Sequence, residues 1–128
     1  IFAAAVADMK PAHSADHKLK KGADDSELSG IELVENPDIL ETLGAKKGDR
    51  VVVGFAAETD NVLENAQKKL IAKHADVIVA NQVGEGMAFG TDDNEVWFLD
   101  HEETEALPLM SKARLADAIL SKSLDFLL

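Results

Sequence analysis

Cysteine is absent from the 128 residues. That excludes a disulfide framework, a zinc-thiolate site and a cysteine nucleophile, and it fits a reducing compartment, with the cytosol as the default. No apolar run approaches the roughly 20 residues that a membrane-spanning helix needs. Basic residues are scarce as well: 13 Lys and Arg against 24 Asp and Glu leave a formal net charge of −11. Nucleic acid and anionic membranes are held by basic surface, so neither is expected as a partner. The dinucleotide fingerprint GxGxxG is missing, because Gly84-Glu85-Gly86-Met87-Ala88-Phe89-Gly90 has the wrong spacing and leads to Glu95-Val96-Trp97-Phe98 rather than to a helix. Ser26, Ser29, Ser111, Ser121 and Ser123 have no nucleophile-elbow context. His13 and His17 sit in a loop, far in sequence from His74 and His101, which is no metal-site pattern. Asp92 and Asp93 before Asn94 read as turn residues. The first residue is not methionine, and the opening lacks the basic start and long apolar region of a signal peptide, so the chain reads as a fragment of a longer protein.

What is present reads as one α/β domain over residues 1–128. Val51-Val52-Val53-Gly54-Phe55-Ala56-Ala57 is a continuous apolar, β-branched run, the mark of a strand covered on both faces. A helix of about 15 residues follows from Asp60, and Asp76 to Ala80 is a second such run. Strand, helix, strand makes a parallel crossover unit. Ile1–Ala7 and Glu95–Leu99 read as further strands, and Ser111–Leu127 as a C-terminal helix capped by Ser111. The expected architecture is a Rossmann-like layered sheet with helices on both faces, with ligands beyond the strand ends at Asp8, Phe55–Thr59 and Asn81. Leu19, Ile31 and Leu33 alternate with polar residues around an acidic turn, suggesting a two-stranded ribbon or flap over residues 17–35 that closes over a site or makes a dimer contact. Asn36-Pro37-Asp38-Ile39-Leu40-Glu41-Thr42-Leu43-Gly44 reads as a short helix with Asn36 as N-cap, Pro37 at its first position and Gly44 at its left-handed exit. Its start can hold an anion or a polar ring edge, or only water.

At about 100° per residue, Val62, Leu63, Ala66 and Leu70 share one apolar stripe of the helix after Thr59. Lys69 and Lys73 fall at the Val62 edge of that stripe and Lys68 points away. Two readings stay open for Lys69 and Lys73: cations beside a pocket at the strand ends, or core-edge lysines that snorkel or pair with Glu58 or Glu64.

Several stretches occur in an order that resembles bacterial phosphopantothenoylcysteine synthetases. They are Ala3-Ala4-Ala5-Val6-Ala7-Asp8, Lys18-Leu19-Lys20-Lys21, Asn36-Pro37-Asp38-Ile39, Gly54-Phe55-Ala56-Ala57-Glu58-Thr59, Ala80-Asn81, Phe89-Gly90 with Asn94, and Leu107-Pro108-Leu109. The resemblance runs almost end to end. It implies an enzyme of coenzyme A synthesis that joins 4'-phosphopantothenate to cysteine, using CTP to form an acyl-cytidylate and releasing pyrophosphate and CMP. It further implies that Phe2, Ala3 and Ala4 line the nucleotide pocket, that Asp8 accepts from cytosine, that Pro37, Asp38, Ile39 and Leu40 contact the nucleotide, and that Phe55 packs against it. Lys18, Lys69 and Lys73 would hold the phosphates, with Lys18 also catalytic on a closing flap. For Asp8 the competing reading is a turn or helix cap at a strand end. Magnesium is expected to accompany the triphosphate, though no residue stands out as its ligand, and FMN would come only with a decarboxylase fused upstream. A homodimer through the ribbon is expected. The family's N-terminal half, with its glycine-rich loop and an asparagine that acts on the acyl-cytidylate, is not in these residues, so catalysis would need more than this chain. Two other classes remain: a non-catalytic nucleotide-binding or dimerisation fragment, and a dinucleotide-dependent oxidoreductase on the same fold.

Overall fold

The computed structural model describes residues 2, 6–19, 30–84 and 93–127, which fall in two compact units, Ile1–Asp38 and Ile39–Leu128. In the first unit, β1 (Met9–Pro11) and β2 (Leu33–Glu35) pair antiparallel, with Lys10 opposite Val34. The ladder continues past both ends: Asn36 N–H donates to the Asp8 carbonyl at 2.8 Å, and Ala12 N–H to the Glu32 carbonyl at 2.9 Å. The expected ribbon therefore exists, and among the described residues the arm that pairs with β2 is Met9–Pro11, which is not among the expected strands. A three-residue arm is too short for alternation to identify its partner. Lys18 and Leu19 lie in irregular backbone; Lys20, Lys21 and the acidic stretch 22–27 lie outside the described residues, as do Ile1 and Ala3–Ala5 of the expected first strand.

The second unit holds a four-stranded sheet in the order β3 (Val53–Glu58), β4 (Val77–Gln82), β5 (Asp93–Leu99), β6 (Thr104–Ser111). The apolar runs at 51–57 and 76–80 become β3 and β4, which pair parallel from Val53–Val77 to Glu58–Gln82, as the crossover reading requires. β5 and β6 add antiparallel neighbours, so the sheet is mixed. β6 has no counterpart among the strands expected from sequence. Pro108 breaks its pattern, and an edge strand tolerates a residue that cannot donate to a ladder.

Two helices cover opposite faces. Between β3 and β4, α2 (Val62–Ala72) buries Ala66 and Leu70 against Ala56, Ile78, Ala80 and Leu99. On the other face, α3 (Lys112–Leu124) buries Leu115 against Val77, Val79, Val96, Phe98 and Leu107. Residue alternation along β4 splits the two sets, Ile78 and Ala80 to one side, Val77 and Val79 to the other. Ser111 is the N-cap of α3, its hydroxyl accepting from Arg114 N–H. Of the apolar stripe expected on α2, Leu63 is in fact exposed. The helix has 11 residues, shorter than expected because Asn61 first takes a left-handed turn at φ 46°, which asparagine tolerates.

The short helix α1 is Ile39–Ala45, two residues later than its punctuation suggested. Asn36 does not cap it; its Nδ2 donates to the Ala7 carbonyl at 2.8 Å. Gly44 is inside the helix and buried, not at its exit. A Cβ at Gly44 would lie 1.9 Å from the Lys73 carbonyl oxygen, and one at Gly54 would lie 2.7 Å from Leu40 Cδ2 and 2.8 Å from Ile78 Cδ1. Both glycines are present for close approach rather than for a positive φ. Gly44→Ala must push α1 off a backbone carbonyl and is expected to cost about 1–3 kcal/mol or more. Gly30→Ala, whose Cβ meets nothing within 4 Å, should stay within about 0.5 kcal/mol. Urea denaturation of both variants measures the difference, and equal midpoints would contradict the packing described.

Candidate functional site

Strand β3 ends at Glu58 and α2 begins at Val62, so the corner between them turns within a few residues. Its backbone is tied from three sides. Asn65 Nδ2 donates to Glu58 Oε2 at 3.1 Å and to the Asp60 carbonyl at 3.2 Å. Gln82 Nε2, at the end of β4, donates to the Thr59 carbonyl at 3.3 Å, and Val83 N–H to the Glu58 carbonyl at 2.9 Å. The base of the same two strands is closed by Asp76, whose carboxylate accepts from Val52 N–H at 2.7 Å and from Lys47 Nζ at 2.5 Å.

Residues alternate along β3: Ala56 is buried under α2 and Gly54 under the Leu40 and Ile78 side chains, whereas Phe55 is 64% exposed. A large ring left in water in mid-strand is a surface available for stacking. Lys69 bends back from α2 so that its Nζ donates to the Phe55 carbonyl at 3.3 Å. The Lys69 ammonium thus reaches the backbone of β3 at the residue whose ring is exposed on the face away from α2. Lys73, one turn further along, has its side chain 22% exposed, and its Nζ pairs with Glu41 of α1 at 2.7 Å. The acid that takes it is neither Glu58 nor Glu64, the two partners considered from sequence. Lys68 points elsewhere: it is 69% exposed and pairs with Glu64 at 2.6 Å. That hydrogen bond and the lysine's charge hold the Glu64 carboxyl below its usual range. The helix phasing that separated Lys68 from Lys69 and Lys73 thus holds.

The remaining expected site residues lie in the first unit or at the start of α1. Asp8 is exposed at the bend before β1, its carbonyl taken by Asn36. Phe2 and Lys18 are exposed; Ala3 and Ala4 lie outside the described residues. Pro37 and Asp38 precede α1 and Ile39 and Leu40 open it, Leu40 packing on Gly54. Phe55, Lys69, Lys73, Ile39 and Leu40 are thus gathered in the second unit. A cavity of about 570 Å³, lined by Val51, Val53, Leu120, Leu124 and Leu127 among others, lies at the opposite end of β3 and is apolar, so it is not where these cations are. Among the described residues, no group of three or more His, Cys, Asp or Glu could hold a metal ion.

Sequence reasoning missed Asn65, Gln82 and Glu41. An asparagine on a helix four residues after another at its start is a weak signal for a tied turn, and nothing local marks Glu41, whose partner is 32 residues away. Removing the Asn65 amide should loosen the corner. Asn65→Ala is expected to cost about 1 kcal/mol for its two hydrogen bonds, while Gln67→Ala on the exposed side of α2 should cost less than about 0.5 kcal/mol; chemical denaturation distinguishes them.

Comparison with known proteins gives a consistent picture. Residues 1–126 match the family described as the DNA/pantothenate metabolism flavoprotein C-terminal domain. The chain is 44% identical over 138 residues to the coenzyme A biosynthesis bifunctional protein CoaBC of Mycolicibacterium smegmatis, a match covering 99% of the chain and 33% of that protein. It is 45% identical over 125 residues to CoaBC of Bacillus subtilis, covering 95% of the chain and 30% of that protein. The chain therefore spans about a third of the length of these relatives. Among solved structures, the C-terminal domain of a CoaBC protein superposes with a TM-score of 0.67 at 38% identity, covering 93% of this chain and 49% of that one. The DNA/pantothenate metabolism flavoprotein of Streptococcus pneumoniae superposes with a TM-score of 0.63 at 21% identity, over 76% of this chain and 42% of that one, a likeness of fold alone.

Proposed function

Because the chain belongs to the family of DNA/pantothenate metabolism flavoprotein C-terminal domains, we propose that it is part of a ligase of coenzyme A biosynthesis, the CTP-dependent synthetase that joins 4'-phosphopantothenate to cysteine. The reaction forms an acyl-cytidylate and pyrophosphate from the carboxylate and CTP; cysteine then displaces CMP to give phosphopantothenoylcysteine. The single observation that supports this reading is the hydrogen bond from Lys69 Nζ to the carbonyl of Phe55, a residue whose ring is exposed, while Lys68 pairs with Glu64 instead.

In this reading Phe55 packs against the nucleotide, which Phe2, Ala3, Ala4, Pro37 and Asp38, and Ile39 and Leu40 at the start of α1, also contact. Asp8 reads the base: a carboxylate accepts and cannot donate, which suits the exocyclic amine of cytosine. Lys69 and Lys73 bind the phosphates, and Lys18 stabilises the charge that develops on them as the acyl-phosphate bond forms. Magnesium is expected with the triphosphate, but the described residues offer no cage for it, and each role above is given to the chain's own side chains. FMN would belong to a decarboxylase domain fused upstream, and the ligase is expected in the cytoplasm.

The chain is also proposed to form a homodimer through the ribbon. All six residues of β1 and β2 are exposed, Leu33 at 51%, and a ribbon this short is marginal in water without cover. Leu33→Asp should shift the chain toward monomer in analytical ultracentrifugation; an unchanged association state would remove the ribbon from the interface.

The nucleotide reading is tested by thermal shift with CTP, ATP and NAD. CTP should stabilise the chain most, and the preference should vanish in Asp8→Asn. Preference for NAD would support the oxidoreductase class, and no response to any nucleotide would sink the binding claim for this chain. Lys69→Glu should weaken CTP by at least about tenfold, as loss of a charge-assisted contact implies, while Lys68→Glu should leave it nearly unchanged.

A further inference from the structure

The two lysines assigned to the phosphates are held differently. Lys69 rests on a neutral carbonyl, that of Phe55. Lys73 is paired with a carboxylate, Glu41 Oε2 at 2.7 Å, and that carboxylate is itself 54% exposed. Close approach brings the two helices together here: Gly44 sits against the Lys73 carbonyl, and the Leu40 and Ile78 side chains both lie over Gly54. An anion approaching the Lys73 ammonium therefore meets a negative charge already hydrogen-bonded to it.

We propose that Glu41 is a positioning residue that holds the Lys73 ammonium in the unliganded protein and yields it to the phosphates, so that it sets how tightly polyphosphate binds and how readily pyrophosphate leaves. The proposal rests on the reading that Lys73 meets the phosphates of CTP. A carboxylate and a phosphate are alternative partners for one ammonium, and exchanging one for the other keeps the cation satisfied throughout. After the exchange, the displaced carboxylate stays on a fixed helix within a few ångströms of the bound phosphates and repels them. Loss of pyrophosphate lets the Glu41–Lys73 pair close again, which favours release. Lys69, whose hydrogen bond is to a neutral carbonyl, supplies attraction that does not have to be taken from a carboxylate among the described residues.

Isothermal titration calorimetry tests this with CTP, inorganic pyrophosphate and CMP on the wild-type chain, Glu41→Gln, Lys73→Met and the double variant. Glu41→Gln should tighten CTP and pyrophosphate about 3- to 10-fold, the scale of a partly exposed ion pair, and change CMP by less than about twofold. In the Lys73→Met background the same substitution should tighten CTP and pyrophosphate by less than about twofold, because only the through-space repulsion is left to remove and no pair has to be exchanged. Glu41→Asp, which keeps the charge, should behave as wild type, and Glu41→Ser gives the same comparison with a second neutral side chain should Glu41→Gln fail to fold. Unchanged or weaker binding in Glu41→Gln overturns the proposal, as does equal tightening with and without Lys73. A wild-type chain that binds neither CTP nor pyrophosphate overturns the CTP reading itself, whereas CTP binding that ignores Glu41 overturns the proposal alone.

Discussion

Neither position 44 nor position 54 has room for a methyl group, and much of the second unit follows from that constraint. With hydrogen at 54, Leu40 and Ile78 close on the strand from the α2 side; with hydrogen at 44, α1 lies directly on the end of α2. The contact fixes a seven-residue helix that is too short to be stable by itself. Once α1 is fixed, Leu40 is at β3, Glu41 is at Lys73, and Lys47 can reach Asp76. Asp76 in turn accepts from Val52 N–H at the foot of β3. One steric allowance thus couples the helix start, the strand and both ion pairs.

The sheet was legible where the sequence repeats a pattern over enough residues. The β-branched runs at 51–57 and 76–80 gave two parallel strands, of which only β4 is covered on both faces, β3 being an edge strand among the described residues with Phe55 and Ala57 exposed, and the phase of α2 separated Lys68 from its neighbours. Ser111 was readable as a cap because capping is a local property of residue type and position. The failures share a cause in contacts between distant residues. Gly44 looks like a helix exit in sequence, and only Lys73, 29 positions on, shows why the residue must be small. Asn36 looks like an N-cap until the Ala7 carbonyl takes its side chain. Three-residue strands hold too few positions for alternation to pick out Met9–Pro11 as the partner of β2.

The candidate site was legible as a location more than as a mechanism. The strand-to-helix corner and its two inward lysines could be read from periodicity. The tie that holds the corner, Asn65 to Glu58 and Asp60, could not, and neither could the acid that meets Lys73. Hydrogen-bond partners depend on rotamers and on which strand lies next to which, and a linear pattern encodes neither.

The acidity of the chain sharpens the role of those few cations. At a net charge of −11, the far field of the protein repels a polyphosphate, yet at physiological ionic strength such repulsion is screened beyond roughly 8 Å. Within that radius the local arrangement decides, and there an ammonium leaning on a carbonyl attracts far more than one already paired with an acid. Lys68 illustrates the limit: fully paired with Glu64 at an exposed position, it adds little to the field any ligand meets. The count of lysines on α2 thus overstates its attraction for anions, because each lysine's partner, and not its charge alone, sets what it can offer. Of the three lysines at 68, 69 and 73, Lys69, resting on an uncharged oxygen of β3, is the one whose charge is least offset by an acid among the described residues.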